Sequence, residues 1–221
     1  MTVAVLADDL LKQELLAKQT ADDVTFIWAD SVRALTIIDA DVYIDLLFEM
    51  DVERINHLKR LLPKPVLVNA VAWSTKRIGA DFIRINAWPT LLHRSITEVA
   101  IPSGMQQETV KSMFDNLQWT YKLVPDIPGM ITARVIAMIV NEAYYTLEAN
   151  VSSREEIDIA MKLGTSYPYG PFEWSTRIGL KHIDSLLKEL SREDERYLSA
   201  PLLQREAIGN GQPFNSAQGN R

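Results

Sequence analysis

Cysteine is absent from the 221 residues. That removes disulfides, thiolate metal sites and cysteine nucleophiles from consideration. Histidine is scarce, and its three copies are scattered, so no dedicated metal site is expected. No apolar run reaches the roughly 20 residues needed to cross a bilayer, so no membrane partner is expected. The opening Met1-Thr2-Val3-Ala4-Val5-Leu6 has no basic lead and reads as a strand rather than a signal peptide. An excess of negative charge, net −6, disfavours nucleic acid as a partner. Glycine is missing from the first third of the chain, and the earliest is Gly79. Any strand–turn–helix unit before that point lacks the residue that lets a backbone close on a pyrophosphate.

What is present is an ordinary globular composition, 47% hydrophobic and 24% charged. The first part alternates short apolar runs with amphipathic ones. Strands are expected at Val3–Leu6, Val24–Trp28, Val42–Phe48, Val66–Val68, Phe82–Ile85, Ile96–Ile101 and Trp119–Val124. Helices are expected at about Asp8–Lys18, Ser31–Ile38 and Val52–Leu62, with a further one capped by Ser103 and striped by Val110, Met113, Phe114 and Leu117. Such alternation implies a mostly parallel, doubly wound α/β sheet. A boundary near Pro125-Asp126 gives domains at 1–124 and 125–221.

From Asp126 the strand pattern stops. Pro128 suits a first helical turn, and Met130 to Val140 is almost wholly apolar, so that helix should be packed on several sides. Ser152 and Ser153 each precede a glutamate by three residues, a doubled capping-box signal for a second helix that Gly164 is placed to end. Pro171 opens a third helix with Gly179 past its end, and Ile183, Leu186, Leu187 and Leu190 stripe a fourth. The Gly/Asn/Gln/Ser-rich end after Ile208 is expected to fray.

Residues in this second half carry a resemblance. Asp126, Pro128, Gly129 and Arg134 are followed by Asn141-Glu142-Ala143, Ile157-Asp158, Ala160-Met161-Lys162-Leu163-Gly164, Tyr167-Pro168, Gly170-Pro171-Phe172-Glu173 and Ile178-Gly179-Leu180. Together they resemble the C-terminal domain of the 3-hydroxyacyl-CoA dehydrogenase family. The resemblance implies a Rossmann-like NAD domain in front, acyl-CoA as ligand and dimerisation through the helical domain. It is compatible with bacterial cytosol and mitochondria alike, and with no targeting segment visible a cytoplasmic location is expected. It also implies a histidine base oriented by a glutamate. The glutamate falls on Glu98, the base position on Asn86, the ribose-binding acid on Asp30, and a substrate-side arginine on Arg134. Asn69-Ala70-Val71-Ala72 stands where the family has an Asn-Thr-Ser run, and Ala133 where it has an asparagine.

The first half departs from the family where chemistry is done. The turn after the first strand reads Leu6-Ala7-Asp8-Asp9-Leu10-Leu11. Asp8 and Asp9 would cap the helix and occupy the N–H groups a phosphate uses. Asn86 has no titratable nitrogen to serve as base. His93 would point away from Glu98 if both lay on one strand, an odd number of residues apart. The aromatics Trp88, Tyr167, Tyr169, Phe172 and Trp174 fit packing better than a ligand groove. Arg134 would meet either an acyl-CoA phosphate or a carboxylate. The reading is of a shortened relative without catalysis, in which no cofactor is expected. The alternative is an NAD-dependent oxidoreductase acting on 3-hydroxyacyl-CoA.

Overall fold

The computed structural model describes residues 1–209, and the glycine- and asparagine-rich end expected to fray lies outside the described residues apart from Gly209, which is helical. The chain divides into two compact units after Ala133.

In the first unit, β1 (Thr2–Leu6), α1 (Asp9–Ala17), β2 (Thr25–Ala29), α2 (Val32–Leu35), β3 (Val42–Asp45), α3 (Val52–Lys59), β4 (Val66–Val68), α4 (Thr75–Ile78), β5 (Ile83–Ile85), β6 (Ile96–Ala100), α5 (Gln107–Leu117) and β7 (Thr120–Leu123) follow one another. The seven strands form one sheet in the order β2-β1-β3-β4-β5-β6-β7. All pairings are parallel except β5 with β6. The inner strands β1, β3, β4 and β5 are buried on both sides because both faces are covered. Val3, Val5, Ile44, Leu67, Ile83 and Ile85 turn to one core, with Leu11 and Leu15 of α1 and Phe114 and Leu117 of α5. Ala4, Leu6, Tyr43, Val66 and Val68 turn to the other, with Leu35, Ile55, Leu58 and Ile78. The Rossmann-like sheet expected from the alternation is therefore present.

Two local expectations fail. Ser103 does not cap α5; the helix starts after Gln106, which makes no side-chain cap bond. A four-residue helix, α4, was not anticipated, although Ser74 caps it and Gly79 closes it in the left-handed region at φ 70°.

The second unit is helical. α6 (Thr132–Glu148) leads into it, followed by α7 (Arg154–Thr165), α8 (Pro171–Ile178), α9 (Leu180–Leu190), a 3₁₀ turn at Glu195–Tyr197 and α10 (Pro201–Gly209). Pro128 is not in the first turn of α6. Gly129 and Met130 both have positive φ, 80° and 49°, so a turn intervenes and the helix begins at Thr132. Ser153 and Glu156 make the capping box of α7, while Ser152 bonds Glu156 from outside it. The left-handed residue ending α7 is Ser166, not Gly164. α10 was not foreseen.

The start of α8 shows why the family-like residues stand where they do. Gly170 has no side chain to cap the helix, and Asp158 of α7 does it instead, accepting Phe172 N at 2.8 Å and Glu173 N at 3.2 Å. A Cβ on Gly170 would lie 2.3 Å from the Asp158 carboxylate. Burial pushes the Asp158 carboxyl above its ordinary value, and those two N–H bonds pull it back. Glu173 accepts Gly170 N at 2.9 Å and pairs with Lys162 at 2.5 Å. Deeper in the unit, Asn141 donates to Leu198 O and accepts from Ala200 N, both at 2.8 Å. Tyr144 is fully buried and donates to Glu206, which also pairs with Arg154. Trp174 and Phe172 are buried, with Tyr167 and Tyr169 against Trp174 and Tyr144 against Phe172.

Gly170→Ala should destabilise the helical unit by about 2 kcal/mol, the scale of an overpacked core, seen as a lower urea midpoint. The Glu173 carboxyl is held below the ordinary value by Lys162 and Gly170 N. Its stabilisation is present above the unfolded value of 4.5 and is lost as pH falls through the lower folded value. The melting difference between wild type and Glu173→Gln should therefore shrink on acidification below that point.

Candidate active site

In a doubly wound sheet, ligands sit beyond the carboxyl ends of the strands, where the strand order reverses. Here that is the β1 and β3 ends. The turn after β1 is closed by Asp8, whose carboxylate accepts Leu11 N at 2.8 Å. This side chain sits on an N–H that a pyrophosphate would use. Asp30, just past β2, is exposed and accepts the Ser31 hydroxyl at 3.2 Å. Ser31 in turn caps α2. At the end of β3, Asp45 is wholly buried and held by Arg54 through two bonds of 2.6 and 2.7 Å. Burial raises the Asp45 carboxyl, and Arg54 opposes that.

The single antiparallel step in the sheet brings the expected pair together. Past the end of β5, Asn86 N donates to Glu98 O of β6 at 3.1 Å, so the two side chains share a face. Asn86 Nδ2 donates to Glu98 Oε2, also at 3.1 Å. Only the NH₂ end of an amide can face a carboxylate, which fixes the Asn86 orientation. Its Oδ1 is buried with no partner among the described residues.

Glu98 has other work. It accepts Thr132 N at 3.0 Å, Ile131 N at 3.2 Å and the Thr132 hydroxyl at 2.5 Å. These are the first N–H groups of α6, which has no acidic residue of its own in its first turn. Glu98 is the cap of that helix.

His93 is not on a strand. It lies in the turns between β5 and β6, half-exposed, with Nδ1 3.4 Å from Glu14. Asn69 spans the ends of β3 and β5, donating to Leu46 O and Ala87 O and accepting from Ala87 N. Among the described residues no group of three or more His, Asp or Glu side chains could hold a metal ion, and no helix is long and apolar enough to cross a membrane.

Arg84 went unnoticed in the sequence. It is a lone charge inside an apolar strand, fully buried, and it donates to Ala70 O at 2.9 Å, Val71 O at 3.1 Å and Asp126 at 2.6 Å. Asp126 also accepts Thr75 N and the Thr75 hydroxyl, at the start of α4. Burial lowers the Arg84 guanidinium from its ordinary value, and Asp126 raises it again. The one arginine thus fixes the loop after β4 and the segment leading to α6.

In the helical unit, Arg134 packs on Tyr197, and among the described residues no carboxylate pairs with it. Its Nε donates to the Tyr197 hydroxyl at 3.0 Å, with the guanidinium 5.0 Å from the ring centre.

Comparison with known proteins finds similarity to one family over part of the chain. The model of the 3-hydroxyacyl-CoA dehydrogenase C-terminal domain matches residues 129–214. The chain is 42% identical over 87 residues to 3-hydroxyadipyl-CoA dehydrogenase of Escherichia coli (strain K12), covering 38% of this chain and 18% of that one. It is 30% identical over 149 residues to 3-hydroxybutyryl-CoA dehydrogenase of Clostridioides difficile, covering 65% and 52%. The chain thus spans about half or less of the curated relatives it matches first. The crystal structure of (S)-3-hydroxybutyryl-CoA dehydrogenase from Ralstonia eutropha shares the fold, with TM-score 0.69 and 20% identity over 95% of this chain and 94% of that one.

These matches correct the expectation that no cofactor belongs here. They are to dehydrogenases, in which a cofactor rather than a side chain carries the hydride. The absence of early glycines was too narrow a ground for excluding one. The residues of the β1–α1 turn still do not fit the usual pyrophosphate seat, because the Asp8 carboxylate occupies Leu11 N.

Glu98→Ala removes the cap of α6 and should cost about 1–2 kcal/mol, the scale of a lost N-cap, read by urea denaturation. Glu98→Gln should cost less, since its carbonyl oxygen still accepts from Thr132.

Proposed function

We propose that this relative of the 3-hydroxyacyl-CoA dehydrogenases does not itself move the substrate proton and acts as a dimeric acyl-CoA binder. The Asn86–Glu98 pair carries the reading. A general base must be able to take a proton at neutral pH, and the amide of Asn86 only donates to Glu98. The Glu98 oxygens are already engaged by Asn86 and the start of α6. No histidine contacts Glu98 among the described residues. The reading concerns proton transfer, and it stands whether or not a nicotinamide dinucleotide sits on the sheet.

The dimer is supported by the outer faces of α6 and α7. Val135 and Tyr145 on α6, with Ile159 and Leu163 on α7, are exposed, Leu163 at 81%. Exposed apolar residues at helical spacing suit a partner's surface. Ala137, within the apolar run of α6, is already buried within the chain. A charge there would test folding instead.

With 3-hydroxybutyryl-CoA and NAD⁺ the protein should form no NADH above the uncatalysed rate, followed at its absorbance. Turnover abolished by Glu98→Gln would overturn the proposal in favour of an NAD-dependent oxidoreductase acting on 3-hydroxyacyl-CoA. Light scattering behind size exclusion should give about twice the 25.0 kDa chain mass, and Leu163→Glu should return it to the monomer. A monomeric wild type at micromolar concentration would remove the dimer from the reading.

A further inference from the structure

On one side the sheet ends at β2, and among the described residues β2 pairs with β1 alone. Successive residues of a strand turn their N–H and C=O groups alternately toward the paired strand and away from it. Thr25 N donates to Met1 O, so Thr25, Ile27 and Ala29 face β1. The backbone groups of Phe26 and Trp28 then face outward, where neither residue has a partner among the described residues. Such an edge is a template for a further strand about 4.8 Å away. Edge strands that stay solitary are commonly guarded by an inward charge, a proline or a bulge. Thr25–Ala29 contains no charge or proline, and its register with β1 is unbroken.

The walls of this edge are apolar and its ends are acidic. On the α1 side, Phe26 and Trp28 are half-buried, their ring centres 5.9 Å apart. Lys12 of α1 lies 4.7 Å over the Trp28 ring. Leu16, one turn further along the same face of α1, is 58% exposed. Ile27 is exposed on the other side of the sheet. Asp22 and Asp23 precede β2 and Asp30 follows it, while Asp8 and Asp9 stand near Asp30 at the carboxyl end of the parallel β1; all are exposed. The cations close by are Lys12, Arg33 and the Met1 amino group, which donates to Asp23 O. Two-fold pairing with a second copy would run antiparallel and set Asp22 and Asp23 of one chain against Asp30 of the other. Like charges disfavour that pairing. Acid at both ends favours a foreign segment with basic ends, in either direction.

We propose that β2 takes up an extended segment of another protein as a further strand, and that this segment has an alternating apolar core with lysine or arginine at each end. Main-chain bonds to Phe26 and Trp28 supply the attachment. Alternate side chains of the segment pack on the Phe26–Trp28 pair with Leu16 and, across the sheet, on Ile27. The carboxylates before and after β2 receive the basic ends. This role is separate from the acyl-CoA reading, since it uses neither Asn86 nor Glu98.

The test uses the full chain at low ionic strength and a synthetic peptide of alternating valine and threonine with two lysines at each end. Anisotropy of the labelled peptide reads binding, and amide hydrogen exchange of the protein reads its place. The peptide should bind and slow exchange at Phe26 and Trp28. Exchange at Tyr121 and Leu123, which face outward from the opposite edge because Val124 N bonds Val99 O, should not change. A peptide flanked by glutamates should bind about tenfold more weakly, the scale of several exposed ion pairs together. The combined Asp22→Lys, Asp23→Lys and Asp30→Lys variant should reverse that order. N-methylation of the central peptide amides, which removes the donors, should abolish binding. No binding, or binding that leaves exchange at Phe26 and Trp28 unchanged, overturns the proposal. Equal affinity for the two flanks overturns the basic partner. Protection of the same amides by raised protein concentration alone gives the edge to a second copy and overturns the foreign one. Thermal melts check the charge-reversed variant, and if it does not fold, the comparison of peptides on the wild type decides.

Discussion

A helix begins with N–H groups that its own turns cannot satisfy, and in this chain carboxylates meet that need again and again. Asp8 caps its own helix. The others reach across. Asp126 takes the first N–H of α4, Glu98 those at the start of α6, and Asp158 those of α8. Each of these is also tied to a second group: Asp126 to Arg84, Glu98 to Asn86, and Asp158 to the space left by Gly170. The segments between elements are positioned by these charge-assisted bonds as much as by apolar packing.

The same requirement bears on chemistry. A carboxylate that orients a base should be free on one side to receive the base's second nitrogen. Glu98 sits where that would be asked of it, yet it faces an amide and a helix start. The sheet is a doubly wound one, and residues 129–214 match the C-terminal domain model of 3-hydroxyacyl-CoA dehydrogenases, while the Glu98 carboxylate bonds Asn86 and the start of α6. A fold does not by itself fix an activity.

Much of the architecture was legible in sequence because it depends on periodicity. Val3 to Leu6 and Val66 to Val68 were apolar on both faces, as strands covered on both sides must be. The Asn86–Glu98 pairing was legible only through the family resemblance, and the sheet then supplied its reason in the β5–β6 reversal. What escaped depended on partners distant in the chain. Arg84 and Asp126 are 42 residues apart, and no local pattern joins them. Four-residue α4 is too short to show a period. The start of α6 was set too early because Pro128 looked like a first-turn proline, when Gly129 and Met130 turn the chain with positive φ before the helix begins.

The contact between Gly170 and Asp158 has an evolutionary side. A side chain at 170 needs the space Asp158 fills, and removing Asp158 uncaps the helix that Gly170 cannot cap. Neither position can drift alone. A shift to a self-capping residue at 170, such as serine, becomes tolerable only after a smaller residue has arrived at 158, and each step by itself passes through a less stable protein. The two sites form a ratchet that preserves the glycine–aspartate combination.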